Sequence, residues 1–350
     1  MNQLATQKNW IDRHFNWIKV AIMLCAYGYL IYTLVNFQYY NEFADGFRHI
    51  DANRIIYLVG ALLLIFANWT FEALKWKSLL TNLQPSTFGF ALKSVLIGLT
   101  AGFFTPNRIG EPAGRAMLLQ DSNRLQGIAL MLVGVMGQTF ASLIYGLVGG
   151  MGLLNLHPHI SFIPMGMWFG IGIFLLVTIS LVYFLLPCWG KWILTGSYPA
   201  FIRFMWEIRT GLLRIDAIAN GIKSIVNGLK PYLSATLSVS YPTLLKVTLY
   251  SLIRYGVYCL QYFFMLRFFD IQIDTLTTLL VIPLNYLVVS ATPSISFSEI
   301  GVRGSCAILL LGAFTDNTLG LSLAAISVWF INYVCPMLTG SVLLLLQKKQ

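Results

Sequence analysis

Long apolar runs recur between Ile18 and Leu346, with few polar residues to interrupt them. An α-helix needs about 20 predominantly apolar residues to cross the hydrocarbon core of a bilayer. Six runs approach or exceed that length, at residues 20–37, 55–74, 126–153, 165–186, 247–268 and 318–346. The pattern therefore predicts an all-α, polytopic integral membrane protein with about six transmembrane helices.

Two further apolar stretches, residues 88–104 and 276–292, are shorter and are each associated with a Thr-Pro pair at their end. Proline lacks a backbone N–H and breaks or kinks a helix. Interrupted helices at membrane depth are tolerated only inside protein or beside a water-filled cavity. Both stretches are therefore predicted to form re-entrant hairpins with an irregular turn at Thr-Pro.

The distribution of basic residues predicts the orientation. If the N-terminus is cytoplasmic and both short stretches are re-entrant, cytoplasmic segments hold 16 of the 23 Lys and Arg residues. Outer segments then hold only Arg48, Arg54 and Arg267. Because cytoplasmic loops carry an excess of Lys and Arg, both termini are predicted to be cytoplasmic, in a multi-pass protein of the cell (inner) membrane. This bias also accounts for the net charge of +10 without a nucleic-acid partner.

Under this topology, residues 55–153 and 247–346 show the same order of elements in opposite orientations, namely a span, a hairpin and a span. Inverted repeats with interrupted helices at corresponding positions are typical of transporters. We predict a single membrane domain, residues 1–350, with the two repeats joined by a linker at about residues 187–245. Apolar residues recur at helical spacing within 201–229, which indicates an amphipathic segment at the cytoplasmic interface.

The first charged motif follows the first short stretch and reads Thr-Pro-Asn-Arg-Ile-Gly-Glu-Pro-Ala-Gly-Arg from position 105 to 115. Glu111 and Arg115 are four residues apart, so on a helix they share a face and can form an ion pair. An ionisable residue inside a membrane segment is by default a functional candidate with a partner. The candidate substrate-binding residues here are Thr105, Pro106, Arg108, Gly110, Glu111 and Arg115.

The second motif reads Thr-Pro-Ser-Ile-Ser-Phe-Ser-Glu-Ile-Gly-Val-Arg from position 292 to 303 and repeats the order of the first. Either each Glu-Arg pair only fixes its hairpin, or the unwound backbone and paired charges line a polar cavity for an anionic head group. Arginine suits phosphate because its planar guanidinium can bind bidentately. The candidate residues here are Thr292, Pro293, Ser296, Glu299, Gly301 and Arg303.

Two other charged residues lie within predicted spans. Arg254 is a further candidate binding residue that can pair with Glu72, Glu111 or Glu299, and a packing role fits it equally well. Glu72 lies near Lys75 at the cytoplasmic end of its span, where a long side chain can reach the interface, so we expect it to act as an interface anchor.

The composition excludes several classes of function. Hydrophobic residues make up 57% of the chain and charged residues 10%, against about a quarter in soluble domains. The five cysteines have no metal-ligand spacing and the four histidines lie away from both motifs, so no metal or cofactor is predicted. No phosphate-binding loop and no catalytic constellation is recognised, so the chain is not expected to be an enzyme or an ATP-driven pump.

Both motifs resemble signatures of the lysylphosphatidylglycerol synthase transmembrane family, the flippase-like domain of multiple-peptide-resistance proteins. Thr105, Pro106, Arg108, Gly110, Glu111 and Arg115 match the first signature, and Pro293, Ser296, Gly301, Val302 and Arg303 match the second. Family members usually have Gly-Gly before the second motif and an acid after its Arg, where this chain has Phe297-Ser298 and Gly304. The resemblance implies movement of aminoacylated phospholipid between leaflets. It does not imply synthase activity, because larger members carry that activity in a soluble domain for which no sequence follows Gln350.

Two hypotheses result. The first is a flippase-like transporter that moves a phospholipid or lipid-linked anionic substrate between leaflets by alternating access. Its expected partners are that lipid, a coupling ion and a second copy of the chain. The alternative is a membrane-embedded lipid transferase, or a non-catalytic subunit assisting one. Paired charges in two hairpins that enter from opposite sides favour transport.

Overall fold

The fold is described by a computed structural model for residues 51–105, 108–157, 165–195, 234–292 and 298–346, together with Tyr32 and Val35. Within these residues the chain forms helices and no β-strand. The predicted first span at 20–37, apart from helical Tyr32 and Val35, and the amphipathic segment at 201–229 lie outside the described residues.

The first half of the chain contains a long helix, two short helices and another long helix. They are α1 (Ala52–Leu80), α2 (Phe88–Phe103), α3 (Gly110–Ala116) and α4 (Arg124–Leu156). Helices α5 (Met165–Phe184) and α6 (Leu186–Thr195) follow. The predicted spans 55–74, 126–153 and 165–186 are thus observed as helices, two of which extend further than the apolar runs because polar turns at their ends also adopt helical backbone.

The second half repeats this order of elements. Its helices are α7 (Tyr241–Phe268), α8 (Thr275–Ala291), α9 (Ser298–Leu311) and α10 (Thr318–Leu345). A single π-helical segment, Phe330–Val334, interrupts the α-helical hydrogen bonding of α10. Such π-helical insertions are frequent at functional sites.

Each short apolar stretch is one helix that ends at its Thr-Pro pair, so neither 88–116 nor 276–311 is a continuous helix. Helix α2 ends at Phe103, and α3 packs back against it so closely that a methyl group at Gly98 would collide with the side chain of Arg115. Thr105 accepts a hydrogen bond of 2.8 Å from the Gly110 N–H at the start of α3. Helix α8 ends before Thr292, whose extended backbone (ψ 116°) is the conformation expected before proline. Pro106 and Pro293 lie outside the described residues.

The two short apolar helices begin with equivalent caps. Thr87 accepts a hydrogen bond from the Phe90 N–H at the start of α2. Asp274 accepts one of 3.1 Å from the Thr277 N–H at the start of α8, and this bond lowers the pKa of the Asp274 carboxyl from its usual value. Each cap satisfies a backbone donor that has no partner within the helix.

Packing between the halves is reciprocal. Helix α1 packs along α7, α2 packs on α10, and α8 packs on α4. Both of the last two contacts depend on a glycine, because a methyl group at Gly340 would strike the Leu96 carbonyl and one at Gly149 would strike the Leu280 carbonyl. Each half therefore packs its first short helix against the last long helix of the other half.

Two clusters of buried apolar side chains form the core. One is built around Trp76, Leu80 and Leu130, and the other around Tyr262 and Ile282. The outer faces of the long helices are also apolar, as shown by Leu63, Phe66, Leu132 and Val148, which are each between 58% and 61% exposed. By length and composition, Ala52–Leu80, Asp121–Leu156 and Thr318–Leu345 can each cross a bilayer. The protein is thus an all-α, polytopic membrane protein.

Candidate functional site

Two ion pairs of the predicted spacing lie on the short helices after the Thr-Pro breaks. On α3, Arg115 Nη2 lies 2.5 Å from Glu111 Oε1. On α9, Arg303 Nη2 lies 3.2 Å from Glu299 Oε2. The spacing of four residues brings each pair to one face of its helix, as predicted.

We call the helix pairs α2–α3 and α8–α9 the two hairpins. They are joined by a contact that we call the inter-hairpin latch, formed by Arg108, Glu299, Arg303 and Tyr333. Arg108 Nη2 donates to both carboxylate oxygens of Glu299, at 2.8 and 2.9 Å. The guanidinium groups of Arg108 and Arg303 lie 3.6 and 5.1 Å from the centre of the Tyr333 ring, within the range of a cation–π contact. Arg108 also has a left-handed backbone (φ 58°), which is uncommon for a non-glycine residue.

Glu72 is the centre of a second group of charges, the Glu72 cluster, which also contains Lys75, Glu111, Arg115 and Arg254. Its Oε1 accepts from Arg115 at 2.7 Å, while Lys75 Nζ and Arg254 Nη1 lie 2.7 and 2.8 Å from Oε2. Three cations thus share one carboxylate.

The expectation that Glu72 anchors its span at the interface is wrong, because both Glu72 and Lys75 are only 3% exposed. Sequence reasoning therefore missed Glu72 as a site residue. The signal available was an acid inside a span with a basic residue three positions later and an unmatched Arg254 elsewhere in the membrane. Of the three partners considered for Arg254, the structure pairs it directly with Glu72.

Arg254 is held by neutral partners as well. Its Nε donates to Asn68 Oδ1 at 2.6 Å, and its Nη2 donates to the Tyr258 hydroxyl at 3.0 Å. The Asn68 amide in turn donates to Asn332 at 2.6 Å, and Asn332 donates to Gln261 at 2.6 Å. This buried chain of amides links α1, α7 and α10, so the guanidinium position is fixed by three helices.

The Glu72 cluster and the latch line one cavity of about 680 Å³. Five cations and three carboxylates face it: Lys75, Arg108, Arg115, Arg254, Arg303, Glu72, Glu111 and Glu299. The lining also includes Gln138, Thr139, Ser142, Tyr258, Tyr286 and Tyr333. The cavity therefore carries an excess of two positive charges and has the volume of a small-molecule site.

The cavity reaches the surface on the flank of the helices. Val135 and Thr139 on α4, and Ser290 and Ala291 at the end of α8, line the cavity and are exposed. Val135 and Thr139 lie near the middle of the 33-residue α4 rather than at its ends. The opening is therefore at the mid-height of a helix long enough to span a membrane.

The predicted site residues divide into three groups. Arg108, Glu111, Arg115, Arg254, Thr292, Glu299 and Arg303 line the cavity. Thr105, Gly110 and Gly301 do not line it: Thr105 bonds the start of α3, Gly110 packs against α2, and Gly301 is buried on α9. These three residues shape the backbone around the cavity, and a direct role for them in binding stays a prediction. Pro106, Pro293 and Ser296 lie outside the described residues.

No three His, Cys, Asp or Glu side chains among the described residues are grouped so that they could hold a metal ion.

The family model described as "Lysylphosphatidylglycerol synthase TM region" matches residues 16–340. No curated protein matches the chain, and no solved structure matches it.

Proposed function

This chain belongs to the lysylphosphatidylglycerol synthase transmembrane family, and from that premise we propose that it moves a phospholipid or lipid-linked anionic substrate between leaflets by alternating access. Membership makes it a membrane protein of lipid metabolism or transport. The observation that carries the finer proposal is the cationic cavity, built from both halves of the chain and open on the flank of a spanning helix.

The position of the opening supports a lipid substrate. A water-soluble ligand needs a path to an aqueous face, whereas a lipid can pass its head group sideways into the protein while its tails stay in the bilayer. Exposed Thr139 at the cavity rim gives the head group a polar edge to pass. Arg115 and Arg303 then offer guanidinium groups, which suit phosphate oxygens.

The reciprocal packing of the two halves supports alternating access. In that mechanism one repeat rocks against the other around a fixed site. The contact of Arg108 with Glu299 joins the two hairpins at that site. If this latch opens toward one side of the membrane while a corresponding contact closes toward the other, the cavity is exposed to the two sides in turn. We also propose that both hairpins are re-entrant in the membrane.

The ion pairing of the cavity carboxylates supports transport over the alternative of a lipid transferase. Glu72, Glu111 and Glu299 are each held by at least one cation within 3.2 Å. Each of these carboxylates is already committed to neighbouring cations, so it is less available to accept or donate a substrate proton. We therefore propose no catalytic role for these residues.

We propose a cell-membrane location with both termini cytoplasmic, on the basis of the excess of Lys and Arg in the inner segments. A cysteine introduced at Lys223 in a cysteine-free background is expected to react with an impermeant thiol reagent only after the membrane is opened. If the cysteine at position 223 reacts in intact cells and a matched cysteine at position 48 does not, the proposed orientation is wrong.

The function is tested with the full chain in liposomes that contain a fluorescent phospholipid. An impermeant quencher bleaches the outer-leaflet lipid at once. It bleaches the inner-leaflet lipid only if the protein moves that lipid to the outer leaflet. We expect complete bleaching with wild-type protein and with Lys77→Gln, an exposed control on α1, but only the outer fraction with Arg108→Gln. If wild-type liposomes bleach no further than protein-free liposomes for every anionic lipid tried, the proposed function is wrong.

A further inference from the structure

The cavity is lined by more cations than carboxylates, and this excess of positive charge affects which lipid head group it can bind. We infer that the cavity selects a head group with two negative charges over one with a single negative charge. This inference rests on the proposed function and narrows its substrate to phosphomonoester lipids, or lipids that carry two phosphates.

The imbalance is divided between the two groups of charges. The Glu72 cluster contains three cations and two carboxylates, and the latch contains two cations and one carboxylate. Each group therefore has one positive charge in excess. The chain segments at the two Thr-Pro breaks add no further charge, because residues 105–107 and 292–298 are all neutral.

The excess cations compete for carboxylates that are already shared. Glu72 serves three cations, and Glu299 serves Arg108 at 2.8 Å and Arg303 at the longer distance of 3.2 Å. A shared carboxylate oxygen satisfies each cation only in part. An arriving anion can therefore share these guanidinium groups with the carboxylate, whose own contacts it weakens.

The burial of these groups makes the charge balance matter. The Arg115 and Arg303 side chains are only 2% and 11% exposed, so water screens them little. Excess charge in such a place is poorly tolerated unless it is paired. One anionic charge cancels the excess of one group and leaves the other, whereas two cancel both.

The binding experiment compares four lipids with identical acyl chains against the full chain in detergent micelles. Phosphatidic acid carries its charges on one phosphorus, cardiolipin carries one on each of two phosphates, phosphatidylglycerol carries a single charge, and phosphatidylethanolamine is zwitterionic. We expect at least one of the two doubly charged lipids to bind roughly tenfold more tightly than phosphatidylglycerol, as one additional charge-assisted contact would provide. Which of the two binds more tightly distinguishes a phosphomonoester from paired phosphates.

Charge variants make the test independent of expression level, because each gives a ratio of two Kd values within one preparation. Arg254→Gln removes one excess charge and should bring the ratio between doubly and singly charged lipids close to one, whereas Lys77→Gln should leave it unchanged. Arg303→Gln gives the same test from the latch if Arg254→Gln does not fold.

The outcomes separate the two proposals. Phosphatidylglycerol binding as tightly as both doubly charged lipids, or a ratio unaffected by Arg254→Gln and Arg303→Gln, would overturn the inference and leave the proposed function in place. Binding of phosphatidylethanolamine as tightly as every anionic lipid would also overturn the inference alone, whereas failure of all four lipids to bind would overturn both.

Discussion

Replacement of Glu72 by glutamine should destabilise the fold more than any other single change in the cavity. The side chain keeps its size but loses the charge that balances Lys75, Arg115 and Arg254. The excess charge of the Glu72 cluster would rise from one to two, with Glu111 as the remaining carboxylate. Removing one partner of a buried ion pair typically costs about 3–5 kcal/mol. We expect Glu72→Gln to reach that range because the residue is only 3% exposed.

The magnitude follows from the uncompensated charge rather than from the gross attraction. Two unit charges about 4 Å apart attract by about 4 kcal/mol at an effective permittivity of about 20, but the desolvation of both ions offsets much of that. A second change that removes a cation should therefore restore stability. Lys75→Met returns the cluster to an excess of one, so the double variant Glu72→Gln/Lys75→Met should be more stable than Glu72→Gln by about 0.5–3 kcal/mol.

The assay is thermal unfolding of the purified protein in one detergent, followed by intrinsic fluorescence. Lys77→Met is the matched control, since it makes the same substitution on the same helix at an exposed position. We expect Lys77→Met to leave the unfolding temperature unchanged in both the wild-type and the Glu72→Gln backgrounds. If Glu72→Gln unfolds at the wild-type temperature, or if Lys75→Met lowers stability equally with and without Glu72, the carboxylate does not balance these cations.

Two further predictions concern the site and the packing between the halves. Arg115→Ala and Arg303→Ala should each abolish lipid movement in the liposome assay, and normal rates for both at matched protein levels would show that the ion pairs serve only as structural clamps. Gly149→Ala and Gly340→Ala should each destabilise the protein by about 1–3 kcal/mol, because the added methyl group meets a backbone carbonyl of the neighbouring helix. Gly170→Ala on α5, with open space around it, is the control, and equal unfolding temperatures for all three would contradict the packing argument.

Much of the fold could be predicted from hydropathy and proline alone. The short helices α2 and α8 end at the Thr-Pro pairs because proline cannot continue the hydrogen bonding of a helix, and that property is local to the sequence. The pairing of Glu111 with Arg115 is likewise local, because four residues return the side chain to the same helical face.

The contacts between elements could not be predicted in this way. Arg108 and Glu299 are 191 positions apart, and Arg108 makes this contact from a left-handed backbone that its local sequence does not predict. The interpretation of Glu72 failed for a similar reason. Its distance along the span suggested the interface, whereas α3 and α7 pack beside it and bring Arg115 and Arg254 to its carboxylate. Local sequence spacing contains no information on either arrangement.

The latch gives a physical route from lipid binding to movement of the hairpins. Glu299 holds Arg108 from the first hairpin and Arg303 from its own helix, so one carboxylate connects the two halves of the chain. A phosphate that binds either guanidinium competes with Glu299 for the same donors, which weakens the contact between the hairpins at the moment when substrate is present. A ligand can shift such an equilibrium only by its difference in affinity for the two states. In the proposed transporter that difference arises from the latch itself, because the open state frees Arg108 for the head group while the closed state commits it to Glu299.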